Sequence, residues 1–151
     1  MTTSSMQIVI DCAEPAALAE FWAEALHYDL APPPAGFASW HAFYRSVGVP
    51  DSELAGQPDA PDRLLDPAGV GPPVWFQQVP EPKAVKNRLH LDLRVSGGRW
   101  LPLAERRARV EAESARLRAA GARTFRVLDD PGYDHFAIVM QDPEGNEFCV
   151  C

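Results

Sequence analysis

Asp142-Pro143-Glu144-Gly145-Asn146-Glu147-Phe148-Cys149-Val150 ends the chain with a turn that runs straight into a strand, and Asp66-Pro67-Ala68-Gly69 occupies the matching place ahead of Val74-Trp75-Phe76. Asp, Pro and Gly in this order form a turn for separate reasons: a side-chain acceptor, a fixed φ, and access to positive φ. One such tetrapeptide is generic. Two of them, each before the last strand of a half-chain, predict a tandem repeat.

Working back from the second turn, Phe136–Gln141 and Thr124–Leu128 read as strands separated by Asp130-Pro131-Gly132. Leu103–Ala120 reads as a helix with Val110, Ser114 and Leu117 on one stripe and Gly121 as its C-terminal cap. Arg88–Val95 alternates as a strand and is broken by Gly97-Gly98. The first half follows the same order. Met6–Cys12 is a strand, and Glu14-Pro15 opens a helix to about His27. In that helix Leu18, Phe21, Trp22, Ala25 and Leu26 fall on one face. Tyr28–Ala31 and Trp40–Val47 are the next two strands, Val49–Pro73 reads as a long surface loop, and Pro73–Val79 is the fourth strand. The pattern is βαβββ twice, with modules at about 6–82 and 87–151, and predicts a single α+β domain.

Residues 1–82 carry eleven acids against Arg45 and Arg63, whereas residues 99–126 carry eight arginines against Glu105, Glu111 and Glu113. The bland reading is solvated helix faces, and the alternative is complementary docking of two copies. A net charge of −7 disfavours nucleic acid, whose phosphates need a basic surface. Three cysteines, with Cys149 and Cys151 parallel on one strand, do not make a disulfide framework and fit a reducing compartment. Met1 to Ser5 has no leader-like pattern, and no run approaches the ~18 apolar residues of a membrane span. A cytoplasmic protein is expected. No Gly-rich phosphate loop, G-x-S-x-G elbow or H-E-x-x-H helix is present, which disfavours nucleotide-dependent and hydrolytic chemistry.

Four runs in a fixed order carry a resemblance: Glu14-Pro15 before Phe21-Trp22 and Leu26; Trp75-Phe76-Gln77-Gln78-Val79-Pro80-Glu81; Asn87-Arg88-Leu89-His90-Leu91-Asp92-Leu93; and Asp142 through Val150. Together they span most of the chain, which resembles the vicinal oxygen chelate (glyoxalase/bleomycin-resistance/dioxygenase) superfamily and, within it, an actinobacterial glyoxalase-like branch. The resemblance implies curved, half-open mixed sheets that cup a small-molecule pocket, and a homodimer. It also implies metal ligands on the first and last strands of each module, at Gln7, Gln77, His90 and Cys149. Cys149 departs from the pattern, because the usual residue there is glutamate; Glu147, two residues earlier, lies on the same strand face. The implied cofactor is one divalent metal (Zn, Ni, Fe or Mn) or none.

His90 and Glu147 are the candidate catalytic pair, the imidazole as ligand or proton carrier and the carboxylate as ligand or base, with burial expected to raise the carboxyl pKa. Their bland alternatives are a hydrogen-bonded strand histidine and an ion-pair partner of Arg88 or Arg94. Gln7, Gln77, Trp75, Trp40 and Phe43 are the candidate substrate contacts, since ligand sites are mostly apolar with a few placed polar groups. His90, Glu147, Cys149 and Gln7 are the candidate metal ligands. Two functions compete: an isomerase, lyase or dioxygenase, in which a Lewis acid stabilises developing charge on vicinal oxygens, and a metal-free protein that sequesters a drug or metabolite.

Overall fold

The computed structural model describes Ser5–Cys151, so residues 1–4 of the leader-free N-terminal reading lie outside the described residues. The chain divides into two compact units, one ending at Pro80 and one running Glu81–Cys151.

In the first unit β1 (Ile8–Cys12), α1 (Pro15–Leu26) and β2 (Asp29–Leu30) are followed by α2 (Trp40–Ser46), α3 (Asp51–Leu54), β3 (Arg63–Leu65) and β4 (Val74–Gln78). In the second, β5 (Asp92–Leu93), α4 (Leu103–Ala119), β6 (Arg123–Leu128), β7 (Ala137–Gln141) and β8 (Glu147–Val150) complete the chain. The sheets have the same order, β1-β4-β3-β2 and β5-β8-β7-β6. In each, the first and last strands pair in parallel, and the remaining neighbours are antiparallel. The expected α+β fold of two βαβββ modules is therefore present.

The two turn sequences act alike. Asp66 accepts the backbone N–H groups of Ala68, Val70 and Gly71 at 2.9, 2.9 and 2.6 Å. Asp142 accepts those of Glu144 and Asn146 at 3.0 and 2.9 Å, together with the Asn146 amide. Gly69 and Gly145 take the positive φ, +66° and +88°, that each turn needs. The helices also close alike. The Tyr28 N–H donates to Ala23 and the Ala122 N–H to Leu117, each at 3.0 Å, with His27 (φ +56°) and Gly121 (φ +113°) in the left-handed position between.

Each sheet has one face backed by its helix. Leu18, Phe21 and Trp22 of α1 bury against Leu64, Val74 and Phe76; Val110 and Leu117 of α4 bury against Ile138, Met140, Phe148 and Val150. Each fully buried large side chain contributes ~1.5–3 kcal/mol of transfer free energy. Because strand side chains alternate, Trp75 and Gln77 in the first sheet, and Asp92 and Cys149 in the second, lie on the face away from the helix.

Three expectations are corrected. Trp40–Val47 is not a strand but mainly the helix α2, because Ser39 accepts the Ala42 N–H at 3.2 Å as its cap, and Trp40, Phe43, Tyr44 and Val47 follow helical spacing. The third strand is instead β3, hidden among prolines and aspartates in the stretch read as loop, which also holds α3. β5 is shorter than Arg88–Val95. Its ladder runs from Leu91, which accepts the Cys149 N–H, to Val95, so His90 precedes the strand. Gln7 similarly stands just before β1.

Candidate functional site

The first unit contains a cleft of about 310 Å³, into which Trp75, Gln77 and Gln78 of β4, Trp40, His41 and Tyr44 of α2, and Asp62 before β3 all converge. Asp62 organises its wall. One carboxylate oxygen accepts the Tyr44 hydroxyl at 2.7 Å and the Trp75 indole N–H at 3.0 Å; the other accepts Arg63 Nε at 3.0 Å. The Arg63 guanidinium lies over both indoles, 5.0 Å from the Trp40 ring centre and 5.4 Å from that of Trp75. Trp40 is anchored from behind by its own N–H to the Ala31 carbonyl at 3.2 Å. Burial, then the bond to Asp62, push the Tyr44 phenol up to about 12, so it remains a donor throughout the neutral range. The indole N–H groups, the phenol and the carboxylate of this wall each have a hydrogen-bond partner.

The other polar groups are uneven in their commitments. Gln78 is held by its bonds to Ala13 and Gln57, whereas the side-chain amide of Gln77 has no hydrogen-bond partner among the described residues. The charged residues lining the cleft are Glu14, Glu53 and Asp62, all acidic. Asp62 is paired with Arg63, so the cleft's excess of acid comes from Glu14 and Glu53. Of the expected contacts, Trp40, Trp75 and Gln77 line this cleft. Phe43 packs on Phe37, Trp40 and Tyr44 instead, and exposed Gln7 is not among the lining residues.

In the second unit the donor atoms of His90, Asp92 and Cys149 all lie within 4.8 Å of one another, with His90 Nε2 3.3 Å from Asp92 Oδ1. The parallel register sets Asp92 beside Cys149. Burial, then the Asp92 charge, push the Cys149 thiol above its usual range. An imidazole, a carboxylate and a thiol fit a borderline ion such as zinc better than they fit magnesium or calcium.

Glu147 is not part of this cluster. Its carboxylate accepts the Asn87 N–H at 2.9 Å, and that bond holds it below the usual glutamate range against the opposing effect of burial. The expected upward shift is thus reversed, and Glu147 is an ionised tether of the 81–90 segment, ill suited to proton exchange near neutrality. Asp62 and Asp92 were not among the residues singled out from sequence. Asp92 carried a readable signal, two residues from His90 on an alternating strand. Asp62 carried none, since its partners Tyr44 and Trp75 are brought to it only by α2 and β4.

Among the described residues no helix is long and apolar enough to cross a membrane. Three solved structures similar in fold illustrate what the architecture is known with. A glyoxalase/bleomycin resistance protein/dioxygenase family enzyme from Burkholderia phytofirmans PsJN is 15% identical, with 95% of this chain and 94% of that one covered and a TM-score of 0.56. TnmS3, an antibiotic binding protein from Streptomyces sp. CB03234, is 16% identical over 99% and 94% of the two chains, at 0.52. The fosfomycin resistance protein FosX from Listeria monocytogenes, solved with Mn(II) and a dihydroxypropylphosphonic acid, is 10% identical over 99% and 90%, at 0.56. At these identities the likeness is one of fold. No curated protein matches the chain. The sequence profile of the glyoxalase-like domain matches residues 7–151, which agrees with the repeated βαβββ order and the twin Asp-Pro-x-Gly turns: the chain belongs to the glyoxalase-like domain family of the vicinal oxygen chelate superfamily.

Proposed function

We propose that this protein binds a small aromatic molecule carrying a positive charge or several hydrogen-bond donors, in the cleft of its first unit. The carrying observation is the Asp62 bracket: one half-buried carboxylate fixes Tyr44, Trp75 and Arg63 and so pre-forms an aromatic wall, and Glu14 and Glu53 add an excess of acid to the cleft it lines. A preformed wall spares a ligand the cost of ordering those side chains, about 0.5–1.5 kcal/mol for each. Gln77, whose side-chain amide has no hydrogen-bond partner among the described residues, is a polar contact open to the ligand.

The test is fluorescence titration of the full chain with 2-naphthylmethylammonium. Saturable quenching is expected, weakened about tenfold by Trp75→Ala and by Asp62→Asn, in line with ~1.5–3 kcal/mol for hydrogen bonds to a charged group. Equal affinity in both variants rejects the cleft as the site.

A second reading, metal-assisted catalysis of isomerase, lyase or dioxygenase type, is favoured by the proximity of His90, Asp92 and Cys149. These three residues would hold zinc, nickel, iron or manganese, and the metal would supply a Lewis acid that polarises an oxygen of the substrate. Cobalt(II) substitution reads this out without any reaction: a thiolate charge-transfer band that Cys149→Ser removes supports it, and a spectrum unchanged by Cys149→Ser and His90→Ala rejects it.

Pairing of two copies belongs to the same proposal. Residues 1–80 hold ten acids against two arginines, and residues 81–151 eleven acids against twelve basic residues, so unlike surfaces are available for it. Light scattering giving twice the chain mass is expected, and the mass of one chain rejects it.

A further inference from the structure

We infer that the second unit carries a separate site for an aromatic carboxylate, in the cleft between the end of β5 and the loop that leads into α4. The cleft, about 590 Å³, is lined by Arg94, Ser96, Arg99, Trp100 and His135, with Arg106 and Phe136 at its base. Its side-chain charge is opposite to that of the first unit's cleft: Arg94 and Arg99, with Arg106 paired to Asp134, line it together with Asp92.

Two observations give this cleft the character of a site. The first is which guanidinium groups are committed. Arg106, only 6% exposed although it sits on a helix, donates to the Leu101 carbonyl at 3.1 Å, to the Asp134 carbonyl at 3.3 Å and to the Asp134 carboxylate. It ties the 97–101 loop to the segment before β7 and is spent on structure. Arg94 and Arg99 have no ion pair or side-chain hydrogen bond among the described residues, so two planar forks of donors face the cleft uncommitted.

The second is the placing of Trp100. Trp100 is 83% exposed, an unfavourable position for the largest apolar side chain, and its six-membered ring edge reaches back to Gly98, where a methyl group would run into the indole. Gly97 and Gly98 both take positive φ, +89° and +111°, so the loop is bent by two residues that no ordinary side chain replaces without strain. An indole face beside two free guanidinium groups matches a ligand with a flat ring and a planar anion: the ring stacks, and the carboxylate accepts paired N–H bonds.

This site does not depend on the cation site of the first unit, and charge-matched probes separate them. The experiment titrates the full chain with 2-naphthoate and, in parallel, with 2-naphthylmethylammonium. Expected is saturable binding of 2-naphthoate that falls about tenfold in Trp100→Ala and in the double variant Arg94→Gln/Arg99→Gln, consistent with the worth of a bidentate charge pair. Trp75→Ala should leave it unchanged. Trp100, Arg94 and Arg99 are exposed, and circular dichroism of each variant establishes that the fold persists. Gly98→Ala adds a positional test, since it moves the ring without removing it and should also weaken 2-naphthoate. Absence of 2-naphthoate binding, binding indifferent to both the Trp100 and the double arginine variants, or loss seen only in Trp75→Ala overturns the inference. Inorganic phosphate competing as well as 2-naphthoate overturns the aromatic part of it.

Discussion

The two units share a strand order, a parallel closing pair, an Asp-centred turn and a helix that ends through one left-handed residue, yet they differ in almost everything that could touch a ligand. Between β2 and β3 the first unit inserts α2 and α3, which raise an aromatic wall over the sheet; between β6 and β7 the second has a short Asp-Pro-Gly connection. One cleft is lined by acids and indoles, the other by arginines and a single exposed indole. Topology follows from turn chemistry and apolar period, which both halves kept. Ligand chemistry resides in positions that neither pattern constrains.

The two turns differ most in burial. Asp142 is fully buried and its bonds hold the turn before β8, whereas Asp66 performs the same task half-exposed. Asp142→Ala should destabilise the fold by about 3 kcal/mol, as removal of a buried, multiply bonded carboxylate does. Asp66→Ala should cost about 1 kcal/mol, because water can replace its partner. Urea unfolding measures both, and equal losses would mean that the two turns are not graded by burial.

The helix ends differ at smaller amplitude. Gly121→Ala places a Cβ at φ +113° and should cost about 1 kcal/mol, whereas His27→Gly relieves a side chain already held at φ +56° and should gain up to about 1 kcal/mol. Thermal unfolding of the pair should shift in opposite directions; shifts of one sign contradict a shared closing motif. An effect of the same size is expected in the helix stripes. The Ser114 hydroxyl is buried without a partner, on the face where α1 presents only apolar side chains to its sheet. Ser114→Ala should stabilise by about 1 kcal/mol, and a destabilisation would show that the hydroxyl has a partner after all.

Much of this fold could be read from the residues, and the failures are physical. α1 and α4 were legible because Leu18, Phe21, Trp22 and Ala25, or Val110, Ser114 and Leu117, repeat at helical spacing on one buried face. The third strand was misplaced because Trp40, Phe43 and Tyr44 are bulky enough to pass for strand residues, while the capping role of Ser39 depends on one hydrogen bond. Arg63-Leu64-Leu65, too short to show alternation, pairs as a strand because β2 and β4 lie on either side of it. At the sites, His90 and Cys149 could be marked only through the family resemblance, which implies ligands on those strands. Arg106 could not, because a buried arginine on an otherwise charged helix looks like any other until Leu101 and Asp134 are seen to hold it.

Ligand recognition by the Asp62-braced wall is read directly by NMR from the indole N–H signals of Trp22, Trp40, Trp75 and Trp100. Addition of 2-naphthylmethylammonium should shift Trp75 and Trp40 and leave Trp100 in place, with the shifts lost in Asp62→Asn. Shifts confined to Trp100, or none at saturating probe, would contradict recognition by that wall.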